Sequence, residues 1–186
     1  MKLWRNKFVL LGIFLCVTGA GTVFLWRVAS RVQEPAVPSK AVIKDTPEHE
    51  SKELAVQLEK KPGHTPILMR LAQLEHDQGK LDDAAGHLRE VLKNEPGNAD
   101  AHLELGRILY EKNDWNAAIA ETQKAIAINP KQVDALYNLG AIYANGGDTE
   151  RARSLWRSAM TVDPQSDSGQ RARQSLSKLS KAPGSH

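Results

Sequence analysis

The sequence predicts an all-α protein, a stack of helical hairpins behind one N-terminal transmembrane helix. Three observations carry this. Pro62, Pro96, Pro130 and Pro164 recur at a constant spacing of 34 residues. With proline at about 5% of positions, three such recurrences have odds of roughly one in ten thousand by chance. When the blocks are aligned on those prolines, apolar and small residues fall into the same register. Phe8–Trp26 is a 19-residue stretch without a charged residue.

Charge placement narrows the functional classes. Between Met1 and Thr46 seven Lys/Arg face two acids, Glu34 and Asp45, whereas the remaining 140 residues hold 18 of the 25 Lys/Arg and 20 of the 22 Asp/Glu. The basic pI near 9 therefore belongs to the N-terminal segment. A nucleic-acid face needs positive charge clustered on the folded body, so nucleic acid is excluded as a partner. Cys16 is the one cysteine, which rules out a disulfide framework and a Cys-x-x-Cys metal or redox motif.

Residues 1–7 form a basic flank carrying Lys2, Arg5 and Lys7. Residues 8–26 follow as the transmembrane helix, about 28 Å long and close to the hydrocarbon thickness. Trp4 and Trp26 bracket it at the interfaces. The positive-inside bias directs the N-terminus to the cytoplasm and the rest of the chain beyond the membrane, in the periplasm or outside. A cleaved signal peptide ending near Gly19-Ala20-Gly21 competes with this reading, but the apolar run continues through Val23, Phe24, Leu25 and Trp26, as in a retained anchor. Gly12, Cys16 and Ala20 lie on one face of the span, a spacing that allows close helix approach and homo-oligomerisation. Residues 27–47, with three prolines and no sustained period, read as a linker.

The folded domain is assigned to 48–182, with repeats at 65–98, 99–132 and 133–166. In the third, Leu136, Leu139, Gly140 and Tyr143 precede Ala152, Trp156 and Ala159. In the second, His102, Leu105, Gly106 and Leu109 precede Ala118, Thr122 and Ala125. In the first, Leu68, Leu71 and Ala72 precede Ala84, Leu88 and Val91. Ala72, Gly106 and Gly140 leave room for the facing helix. Gly79, Asn113 and Gly147 occupy the turn between helices, where positive φ is expected. Each closing proline ends its second helix, because the residue before it avoids helical geometry. Glu75 and Thr122 stand where the other blocks are apolar. Residues 47–61 read as a half repeat that turns Leu54 and Leu58 inward. Residues 168–181 read as a capping helix with Leu176 and Leu179 inward and Arg171, Arg173, Lys178 and Lys181 outward.

This pattern resembles the tetratricopeptide repeat family. The resemblance implies that the first helices of successive repeats line a concave protein-binding surface. Carried over by position, that groove presents Met69, Gln73, His76, Leu103, Arg107, Tyr110, Tyr137, Ala141 and Ala144, spaced four or seven residues apart within each helix. The mix suits the apolar face of a partner helix or a C-terminal tail, with Arg107 available to a carboxylate. Packing between repeats is the alternative role for Met69 and Leu103, and the groove tyrosines are expected to add little to the core. Family members that clamp chaperone tails do so with Lys, Asn and Arg. Here the matching positions hold Met69, Gln73, Glu104, Asp134 and Asn138, which argues against that subtype.

No catalytic residue, cofactor or metal site is expected. The six histidines form no i, i+4 pair, and neither a phosphate-binding loop nor a nucleophile elbow occurs. The anchored layout resembles the tetratricopeptide assembly factors of bacterial c-type cytochromes. That resemblance implies an adaptor or chaperone for envelope proteins. A structural scaffold built by self-association is the alternative.

Overall fold

A computed structural model describes residues 46–181. The predicted transmembrane helix, the linker up to residue 45 and the Gly12/Cys16/Ala20 face lie outside the described residues. Among the described residues no helix is long and apolar enough to cross a membrane.

Eight helices follow one another: α1 Pro47–Lys60, α2 Thr65–Asp77, α3 Leu81–Asn94, α4 Ala99–Glu111, α5 Trp115–Ile128, α6 Val133–Asn145, α7 Thr149–Val162 and α8 Asp167–Lys181. The hairpins α2/α3, α4/α5 and α6/α7 coincide with the three expected repeats, α1 with the half repeat and α8 with the cap. The first helix begins one residue before the assigned domain, because Pro47 is helical rather than linker. Thr46 caps it by accepting from the His49 amide, and proline suits the first turn, where no amide partner is needed. The cap likewise starts at Asp167 rather than 168.

Local chemistry explains the turns. Gly79, Asn113 and Gly147 have φ of 75°, 62° and 85°, the left-handed geometry needed to reverse the chain after the first helix. Asp114 and Asp148 then cap α5 and α7 by accepting from the Ala117 and Arg151 amides. Asn98 does the same for α4 through the Ala101 amide at 3.0 Å.

The core runs between the helix rows. Leu68, Leu88, Val91 and Ile108 join Ala84 and Ala118 in one cluster, and Trp156, Ala159 and Ala172 form another around α6–α8. Leu103, Ala125 and Ala135 make a third cluster, on α4, α5 and α6. The two departures from apolar pattern have different fates. Thr122 is buried and donates its hydroxyl proton to the Ala118 carbonyl at 2.8 Å, so its polar atom is satisfied within its own helix. Glu75 is only partly satisfied.

At the ends, Leu58 packs on the first cluster, yet α1 has no fully buried residue. Leu176 and Leu179 pack inward as expected. Arg171 corrects the expected outer face, because its guanidinium lies 4.4 Å from the centre of the Tyr137 ring.

Candidate peptide-binding groove

The helical period sends residues 69, 73 and 76 of α2 to one face, and residues 103 and 107 of α4 beside them. Met69, Gln73, His76, Leu103 and Arg107 converge on one recess of about 250 Å³, so five of the nine expected groove residues meet there. Asp100, Glu104, Gln132 and Asp134 complete its lining. The recess is consequently richer in carboxylates than the expected apolar and aromatic groove.

Arg107 departs from its expected role. Its Nε donates to Glu104 Oε2 at 2.9 Å, and a second guanidinium nitrogen donates to the same oxygen. The two residues are three apart on one helix and face each other across a turn. The guanidinium is thus already paired and is not held open for an incoming carboxylate.

His76 Nε2 lies 2.8 Å from the Glu111 carboxylate, which bridges α2 to α4. One repeat later the Asn145 amide donates to the Tyr110 hydroxyl, bridging α4 to α6. His76 and Tyr110 are equivalent positions, as are Glu111 and Asn145, so the stack carries the same lateral rung twice. Two further links join successive repeats on this side: Gln132 Nε2 donates to Asp100 at 2.6 Å, and the Ser168 hydroxyl donates to Asp134 at 2.5 Å.

The other expected residues lie elsewhere. Leu103 is 6% exposed and belongs to the inter-repeat core while also lining the recess. Tyr110 meets Trp115 edge-on with ring centres 5.2 Å apart. Tyr137 stacks on Trp156 at 6.4 Å and carries Arg171 on its ring. Ala141 and Ala144 are half-buried against the second cluster. The tyrosines therefore help to pack the repeats, contrary to the expectation that they would add little. Each aromatic ring finds a neighbour one helix away.

Asp100, Gln132 and Glu111 escaped the sequence reading. The available signal was an offset of 34 or 35 between groups able to bond, as in His76/Glu111 and Tyr110/Asn145.

Comparisons with known proteins agree with this architecture. Tetratricopeptide repeat profiles match residues 69–133 and 122–154. No curated protein matches the chain significantly. Among solved structures, a crystal structure of MamA superposes with a TM-score of 0.66 and 26% identity, over 74% of this chain and 78% of that one. A second MamA structure gives 0.65 and 26%, over 74% and 73%. The first repeat domain of Spaghetti (RPAP3), bound to the HSP90 peptide SRMEEVD, gives 0.58 and 19%, over 63% and 90%. The last likeness concerns the fold alone. The hairpins between residues 69 and 154 are tetratricopeptide repeats, a scaffold for protein interaction.

Proposed function

We propose, from the tetratricopeptide repeats of residues 69–154, that this chain is an adaptor seating a partner polypeptide on its first-helix row. Phe8–Trp26 tethers it to a membrane, with the N-terminus in the cytoplasm and the repeats beyond the bilayer. The observation that carries this reading is the recess where Met69, Gln73, His76, Leu103 and Arg107 converge. Its volume, about 250 Å³, falls below the roughly 300–1,000 Å³ of small-molecule pockets and suits peptide side chains. Methionine and leucine supply apolar contact, while Gln73 and the carboxylates accept or donate hydrogen bonds.

The chemistry of the seated segment differs from the HSP90 peptide SRMEEVD held by the Spaghetti domain. That peptide ends in acids. Here Asp100, Glu104 and Asp134 line the recess and Glu104 occupies Arg107, so an acidic tail meets like charge. The client class that fits the anchored architecture is an envelope protein under assembly. A c-type cytochrome precursor presenting a C-terminal helix is the specific case.

A scaffold is the second reading, favoured by the small-residue face Gly12/Cys16/Ala20. Photo-crosslinking from a probe replacing Gln73 in intact membranes separates the two. Capture of a cytochrome precursor or haem-ligation component supports the adaptor. Adducts formed only between copies of this chain sink it and favour the scaffold.

A further inference from the structure

Glu75 breaks the pattern of its own repeats. Its counterparts 34 residues apart are Leu109 and Tyr143. Leu109 is 6% exposed and belongs to the core. Tyr143 packs against the second cluster, and its hydroxyl accepts from Gln123 at 3.2 Å. Glu75 occupies the same position with a side chain 15% exposed, and its Oε1 lies 3.3 Å from His87 Nε2. Its Oε2 is buried without a hydrogen-bond partner among the described residues. Burial raises its pKa, opposed by His87 and Lys80 and reinforced by Asp83. A half-satisfied carboxylate at this depth costs stability that leucine would not, so packing alone does not account for the residue.

The carboxylate opens onto a cavity of about 660 Å³ enclosed by α1, α2 and α3. Ala55, Leu58, Pro62 and Leu71 give it apolar walls, with Glu75 and His87 as the polar groups between them. Glu48, Glu59 and Glu90 line it together with Lys52 and Lys80, so with Glu75 four carboxylates face two ammonium groups. It shares no lining residue with the first-helix recess.

We propose that this cavity is a docking site for an arginine side chain of a partner polypeptide, its guanidinium donating to Glu75 Oε2 and its stem lying on Leu58 and Leu71. Arginine fits better than lysine for two reasons. Its planar group is more weakly hydrated, and its several donors can serve Glu75 and a second carboxylate together. The methylenes cover apolar wall while the charge meets the net negative lining. The site is independent of the groove reading and stands or falls by itself.

The test uses the full chain in detergent micelles, with NMR signals of Leu58, Leu71 and His87 followed during titration. The probes are N-acetylarginine amide and its neutral isostere N-acetylcitrulline amide. The expected result is saturable shifts with the arginine probe and binding about tenfold weaker with citrulline. Glu75→Leu, which installs the residue of the second repeat, should abolish the shifts while Tm rises. Glu75→Gln conserves size and should weaken binding without unfolding; if Glu75→Leu melts below wild type, this variant decides. Equal binding of both probes, binding that survives loss of the carboxylate, or no saturable shift overturns the proposal.

Discussion

Gly140 lies against the indole of Trp156 so closely that a Cβ on residue 140 would stand 2.6 Å from Nε1. The same indole donates its proton to the Tyr137 carbonyl at 3.1 Å, so the ring cannot retreat without losing that bond. One repeat earlier Gly106 faces Thr122, whose hydroxyl oxygen would be 2.5 Å from a Cβ. In both repeats the bulk of the second helix is accommodated by the missing side chain of the first.

Gly140→Ala should therefore cost about 1–3 kcal/mol through overpacking, measured by urea unfolding. The cost should fall in a Trp156→Leu background, where the indole is gone. Equal costs in both backgrounds would refute this contact as the cause.

Tyr137→Ala should lower stability by about 1–3 kcal/mol, because it removes the ring stacked on Trp156 and the platform beneath Arg171. A thermal melt unchanged by this substitution would return Tyr137 to the role of a free groove residue.

The lateral rungs predict a coupling between repeats. Replacing Glu111 by Gln should cost about 0.5–1 kcal/mol, since the pair with His76 is partly exposed. In a double-mutant cycle with His76→Ala the two effects should be non-additive. Strict additivity would mean that the rung carries no energy.

Glu121 links stability to pH. Burial raises its pKa, but hydrogen bonds from Lys124 and His102 outweigh this and hold it below the usual 4.5. A carboxyl depressed in the folded state contributes stability that is present above its unfolded pKa and lost as pH falls through the folded value. The Tm gap between wild type and Glu121→Gln should accordingly be full at pH 7 and close below about pH 4.5. Glu75 carries the opposite sign. Its raised pKa means that the cost of its charge is relieved on acidification.

Asn113 tests the turn chemistry. At φ 62° asparagine is tolerated, whereas a β-branched side chain is strained. Asn113→Val should cost about 1–2 kcal/mol and Asn113→Gly almost nothing, as read from thermal melting. Equal melting of the two variants would contradict that account.

The repeat boundaries, the three turns and the close-contact glycines were legible because each depends on a single residue's backbone. Proline fixes φ and ends a helix, Gly79 and Gly147 reach positive φ, and Gly140 leaves space. Thr122 and Glu75 were legible as departures but not as outcomes. Whether a polar atom at such a position finds a partner depends on neighbours 4 residues away in one case and 12 in the other.

The sequence by itself determined the order of helices, their period of 34 and the small residues that let them pair, since these follow from local backbone preference and hydrophobic spacing. Tertiary structure decided the assignment of partners. It gave Arg107 to Glu104, His76 to Glu111 and Tyr137 to Trp156, and it left one oxygen of Glu75 unsatisfied. Such pairings depend on distances across helices, which a one-dimensional pattern carries only as a faint offset of 34 or 35 residues.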